Sequence, residues 1–229
     1  MAIILIGLSK ALRKTEWTKQ RRQKIFFTTS ITVLFWIVML TVLSYNGFFA
    51  DFNTLPPRPV LALLIPLPVV LVFSFSQTGK RLLERVPPQW LVFMQTFRIF
   101  VELLIWFAFL ANELPVQMSF EGKNFDVLAG LLALPAGLLL LQKKEWSSKI
   151  ILIYNIIGLA LLINILVIAV LSMPTPFRHF MNEPSAILIA HFPFILLPGL
   201  MVPIAYSMHI FSLRQPFIKK NSETIIVNN

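Results

Sequence analysis

The chain is short enough, at 229 residues, to be one domain, and 57% of its residues are hydrophobic while 13% are charged. With a mean hydropathy of +0.77 it lacks the polar surface of a water-soluble domain, in which about a quarter of the residues are charged, and it is read as a bilayer protein. The absence of cysteine excludes a disulfide scaffold, thiolate metal sites, iron–sulfur clusters and a cysteine nucleophile.

Residues 1–24 are a basic cytoplasmic segment in which an apolar stretch, residues 2–8, precedes Lys10, Arg13 and Lys14. A signal peptide has the opposite order. The segment is read either as an interfacial helix on the cytoplasmic surface or as a frayed terminus that acts only as a topology signal. Crossing about 30 Å of hydrocarbon takes roughly 20 apolar residues in a helix. Six segments qualify: residues 26–45, 60–76, 91–111, 125–141, 150–172 and 186–211. The second and fourth are short and need flanking residues to complete a span. Residues 25–213 therefore form the transmembrane domain, and residues 214–229 a polar cytoplasmic tail. The expected fold is all-α: a polytopic bundle of six transmembrane helices with both termini cytoplasmic.

Orientation follows from lysine and arginine, which accumulate in cytoplasmic loops. Seven lie between Lys10 and Lys24. Lys80, Arg81 and Arg85 join the second and third spans, Lys143, Lys144 and Lys149 the fourth and fifth, and Arg214, Lys219 and Lys220 follow the sixth. The opposite side holds Arg58, Lys123 and Arg178. The net charge of +10 is thus spread over short loops on one face. Anionic lipid headgroups on the cytoplasmic face are its expected partner, and nucleic acid is not.

The third span carries Gln95, Arg98 and Glu102, whose spacings of three and four place them on one helical face. Each charge near the bilayer centre costs about 2.5–3.5 kcal/mol, so the pair must face the bundle interior, a partner or water. Glu102 reads either as a proton- or cation-binding carboxyl with Arg98 as counter-charge, or as half of a structural Arg98–Glu102 pair. Asn155 and Asn164 in the fifth span lie nine residues apart on opposite faces, and a buried asparagine there is expected as interhelical glue.

Residues 118–126, MSFEGKNFD, precede the fourth span. Asn124 could cap that helix, with Asp126 in its first turn. A sharper reading gathers Glu113, Glu121, Asp126, His179 and Glu183 around an outer-face pocket for acid–base work or a cation. The metal-ligand spacings are absent, and neither a metal nor a cofactor is expected. In the sixth span, Pro193, Pro198 and Pro203 should kink the helix. His191 is its candidate pathway residue, while His209, near the cytoplasmic end, is expected to be interfacial. Ala129, Ala133 and Gly137 form a small-residue stripe for close helix approach, against an internal neighbour or a second copy.

In residues 95–102 (QTFRIFVE), 119–126 (SFEGKNFD) and 154–166 (YNIIGLALLINIL) the chain resembles an uncharacterised group of multi-pass bacterial inner-membrane proteins. The resemblance implies a bacterial inner-membrane location and no particular activity. The leading functional expectation is a small-solute or ion translocator, proton-coupled, with Gln95, Arg98, Glu102, Asn155 and His191 along its pathway. The alternatives are an accessory subunit contacting a second copy or another membrane protein, and a membrane-embedded enzyme using Glu121, Asp126 or His179. The motifs of nucleotide, serine-hydrolase and zinc-protease sites are missing, which disfavours the last.

Overall fold

The computed structural model describes residues 2–142, 144 and 146–227, with the side chains of residues 2–3 and 219–227 outside the description. Lys143, counted above as a cytoplasmic charge, lies outside it, as do the side chains of Lys219 and Lys220. The described residues contain ten α-helices and no strands.

Helix α1 (Ala2–Arg13) packs its Ala11 and Leu12 with Trp17 and with Leu82 of α5 (Gln77–Arg85). Thr18 starts α2 (Lys19–Tyr45), its Oγ1 accepting the Arg21 N–H at 3.3 Å. At 1.5 Å per residue, its 27 residues reach about 40 Å, longer than the hydrocarbon is thick. Proline 66 opens α4 (Pro66–Phe75) directly after α3 (Arg58–Leu64), where the missing proline N–H costs no helical bond. Helices α6 (Pro88–Phe93) and α7 (Phe97–Leu110) join through a 3-10 turn at Met94–Thr96. Helix α8 spans Val127–Leu141, α9 spans Ser147–Ser172 and α10 spans Val202–Val227.

Among the described residues, four helical stretches are long and apolar enough to cross a membrane: Lys19–Tyr45, Arg58–Phe75, Pro88–Leu110 and Ser147–Ser172. The expectation of six transmembrane helices is met only in part. Helix α8 has 15 residues and covers about 22 Å, short of the hydrocarbon thickness. The last stretch is not one helix. It begins as a 3-10 helix at Ala186–Ala190, turns, passes through a π-helical turn at Leu197–Met201, and becomes α-helical only at Val202. Pro193, Pro198 and Pro203 explain the break, because each lacks the N–H that would continue the ladder.

The connection between α7 and α8 is folded into the protein rather than laid over it. Asn112, at φ 58°, takes the left-handed conformation that closes α7, an angle asparagine tolerates better than most residues. Beyond it Gln117, Met118, Ser119 and Asn124 are buried. Gly122 is required here, since a Cβ would stand 2.2 Å from the Val116 carbonyl oxygen. This buried connection delivers Asp126, at the start of α8, to Arg98, which is the eleventh residue of the Pro88–Leu110 stretch. Helix α8 therefore begins halfway along its neighbour, and residues 112–125 occupy the other half. Irregular backbone at such depth is tolerated where protein surrounds it.

The largest apolar cluster includes Leu40, Phe49, Ile105, Leu114, Ile168 and Ile195. Leu162, Ile165, Ala205 and Tyr206 form a second between α9 and α10. Outward, α2 exposes Ile31, Leu34 and Phe35, and α9 exposes Leu152, Ile153 and Ile156. Such faces suit hydrocarbon better than water.

Candidate functional site

Arg98 is 1% exposed and sits among four elements. Its side chain forms a bidentate ion pair with Asp126: Nε donates to Oδ2 at 2.7 Å and Nη2 donates to Oδ1. The two-pronged fit of guanidinium to carboxylate is among the strongest polar contacts a protein makes. Nη1 donates to the Gly158 carbonyl of α9 at 3.1 Å, and Nη2 approaches the same oxygen at 3.2 Å. Gly158 lets His209 pack closely against α9, since a Cβ would stand 2.4 Å from His209 Cε1.

His209 of α10 lies 3.1 Å from Arg98 Nη1 through Nε2, and 2.7 Å from Asn155 Oδ1 through Nδ1. Arginine can only donate, so Nε2 accepts and Nδ1–H donates, which assigns one neutral tautomer. Asn155 passes the chain on, donating from Nδ2 to the Ile151 carbonyl at 2.6 Å and to Ser212 Oγ at 2.9 Å. Tyr154 donates to the Ala129 carbonyl at 3.1 Å, tying α9 to α8. The whole network thus clamps α7, α8, α9 and α10 around one arginine.

Glu102, one turn beyond Arg98, has a different environment. The expected Arg98–Glu102 pair is replaced by Arg98–Asp126, with every nitrogen of the guanidinium already committed. Among the described residues the Glu102 side chain has one hydrogen bond, from Asn124 Nδ2 to Oε2 at 2.5 Å. Asn124 also donates to the Met118 carbonyl at 2.8 Å, and its Oδ1 accepts the Asp126 N–H at 2.9 Å, so it holds the start of α8 and the Glu102 carboxyl together. Glu102, Arg98 and Asp126 border a cavity of about 80 Å³ whose remaining wall is apolar, including Val60, Phe97, Val101, Leu162, Ile165 and Met201. A single water needs roughly 10–15 Å³, so several waters or a small organic group fit.

The remaining candidates fall elsewhere. Gln95 is buried near the cluster, donating to the Ala205 carbonyl at 3.0 Å while its Oε1 has no partner among the described residues. Asn164 leaves the site and donates to the Lys123 carbonyl at 2.9 Å. His191 is exposed and lines, with Glu113 and Glu183, an open cleft of about 300 Å³. Arg178 occupies Glu183 at 2.9 Å. The outer-face trio does not assemble: Glu121 accepts from Trp106 Nε1 at 2.5 Å, His179 packs on Phe180, and Asp126 belongs to the interior. No group of three metal-ligating side chains occurs among the described residues.

The expectation of an interfacial His209 is corrected, since the residue is fully buried. Its signal was the cluster of polar or small residues at helical spacing, Asn155 with Gly158 and His209 with Ser212, on otherwise apolar segments. The Ala129–Ala133–Gly137 stripe is buried inside the chain, where a Cβ on Gly137 would meet the Phe93 ring at 2.5 Å.

A family model described as "Domain of unknown function (DUF8737)" matches residues 55–216, a stretch that contains the entire cluster. No curated protein and no solved structure matches the chain.

Proposed function

The chain belongs to the DUF8737 family, and from that starting point we propose that it is a proton-coupled translocator of a small solute or ion, with Glu102 as the exchanging carboxyl. In this reading it crosses a bacterial inner membrane six times with both termini cytoplasmic. The proline-broken last segment and the short α8 complete the bundle around the four long spans, and the loop charges set the orientation. The basic end of α1, with Lys10 and Arg13, rests on anionic headgroups.

One observation carries the proposal: Glu102 is buried beside a cavity and forms no ion pair among the described residues. Arg98 and Asp126 balance each other, so an ionised Glu102 would leave the interior with one uncompensated negative charge. Burying such a charge costs several kcal/mol, which a proton or a bound cation removes. A group that must be neutral when enclosed, and that can ionise when water arrives, is a natural carrier.

The test is flux. Purified protein in vesicles loaded with a pH-sensitive dye should acidify or alkalise the lumen when a gradient of the transported solute is imposed, and Glu102→Gln should abolish the signal while the protein remains folded. Equal flux from wild type and Glu102→Gln would overturn the assignment of Glu102.

A second reading is favoured by the saturation of Arg98. A guanidinium engaged by Asp126, Gly158 and His209 holds four helices in register, as a structural lock would in a subunit whose task is to bind another membrane protein or a second copy. Absence of flux with every solute class would favour that reading.

A further inference from the structure

We infer that the cavity beside Glu102 receives a small organic cation, an alkylammonium of a few carbons, whose ammonium group takes the place of the Glu102 proton. The inference rests on the translocator reading above and names its solute class.

The cavity's chemistry selects among ligands. An anion would need free donors, but Arg98 has spent its Nε, Nη1 and Nη2 on Asp126, Gly158 and His209. The Asn124 amide is likewise committed to Glu102 and Met118. What the site offers is acceptor capacity on a carboxyl with a single hydrogen bond. A hydrated alkali ion needs a shell of oxygens, and the wall opposite Glu102 supplies none from side chains: α3 presents Pro59 and Val60, α9 presents Leu162 and Ile165, and the π-helical turn presents Met201. An apolar wall stabilises an alkyl group by roughly 25 cal/mol for each Å² it removes from water. The Phe97 ring on the wall suits a cation further. The ligand that meets both demands has one ammonium and an apolar body.

The exchange balances. The neutral Glu102 carboxyl loses its proton to water, and the incoming R–NH3⁺ forms an ion pair and an N–H···O bond with the carboxylate. One positive charge enters as one leaves, so the interior stays neutral throughout. The charged groups facing Glu102 are Arg98 on its own helix and Asp126 at the start of α8, and these two remain paired. The α3, α9 and residue 197–205 walls contribute no titratable group.

The test uses wild-type protein in detergent at low buffering capacity, with 3-methylbutylammonium chloride as probe. Its neutral isostere 3-methylbutan-1-ol and sodium and potassium chloride serve as comparisons. The expected result is release of about one proton per bound ammonium, with apparent affinity falling about tenfold for each pH unit lowered in the range where Glu102 is protonated. The alcohol and the salts should release none. Glu102→Gln should abolish release, and Ile165→Phe, which fills the cavity and leaves Glu102 in place, should weaken binding at least about tenfold. Proton release by sodium or potassium without release by the ammonium would overturn this inference and leave the translocator reading standing. Release by no cation would overturn the inference, and the vesicle flux measurement would then decide the translocator reading separately. Ammonium binding unchanged in Ile165→Phe would place the ligand outside the cavity and overturn it as well.

Discussion

Asp126 is the residue on which the interior depends, because it forms the buried ion pair with Arg98. Asp126→Asn should destabilise the protein by about 3–5 kcal/mol, the cost of leaving a buried cation without its counter-charge. Thermal unfolding in detergent would show it. The double replacement of Arg98→Met with Asp126→Leu should cost much less than Asp126→Asn alone, because it removes both charges together. An equal loss in the two would mean that the pair contributes mainly shape. At this scale the sequence was partly readable. Helical spacing put Gln95, Arg98 and Glu102 on one face, and all three are buried. The identity of Arg98's partner was not readable, since Asp126 reaches it only through the path of the connection between Leu110 and Val127, which no local periodicity describes. Asn124 was expected to cap α8, yet Asp126 stands at the N-cap with no side-chain cap bond, and Asn124 instead accepts the Asp126 N–H in a turn just ahead of the helix.

Among the four long apolar stretches α2 is the least buried, enclosing only Leu40 and Ser44. Two hydrogen bonds fasten it to the broken last segment. Trp36 Nε1 donates to the Gly199 carbonyl at 2.7 Å, and Ser44 Oγ donates to the Ala190 carbonyl at 2.9 Å. Both acceptors lie where proline has interrupted the helix, so α2 satisfies carbonyls that a continuous helix would bond itself. Trp36→Phe and Ser44→Ala should each cost about 0.5–1.5 kcal/mol. Together they should speed amide hydrogen exchange across residues 191–201, with exchange in α9 unchanged. Exchange that does not rise there would show that α2 fastens nothing. The long helices were legible because their apolar runs are continuous and strongly periodic or uniformly apolar. The last segment was harder, since three prolines announce an interruption without saying whether it is a bend, a turn or a change of helix type.

At the scale of the molecule, the six-crossing arrangement makes a directional claim. In intact cells a membrane-impermeant thiol reagent should reach Arg58→Cys and Arg178→Cys from outside. It should reach Arg13→Cys, Arg81→Cys and Arg214→Cys only after the inner membrane is opened. The natural absence of cysteine makes each label unambiguous. Outside labelling of Arg81→Cys would overturn the arrangement. The pairing of Arg98 with Asp126 also bears on how the protein is made. The two residues are 28 positions apart in the chain, and at roughly 5–20 residues per second of synthesis Asp126 follows Arg98 by about 1–6 seconds. For that interval the third hydrophobic segment holds a cation and a carboxyl with no tertiary partner, at about 2.5–3.5 kcal/mol each in open lipid. In the six-crossing reading, that segment is expected to linger in the protein-lined exit of the insertion machinery until the connection and the first turn of α8 arrive, so that the two segments enter the membrane as a unit. In that reading, a nascent chain that ends before Asp126 should therefore integrate less stably than one that ends after it.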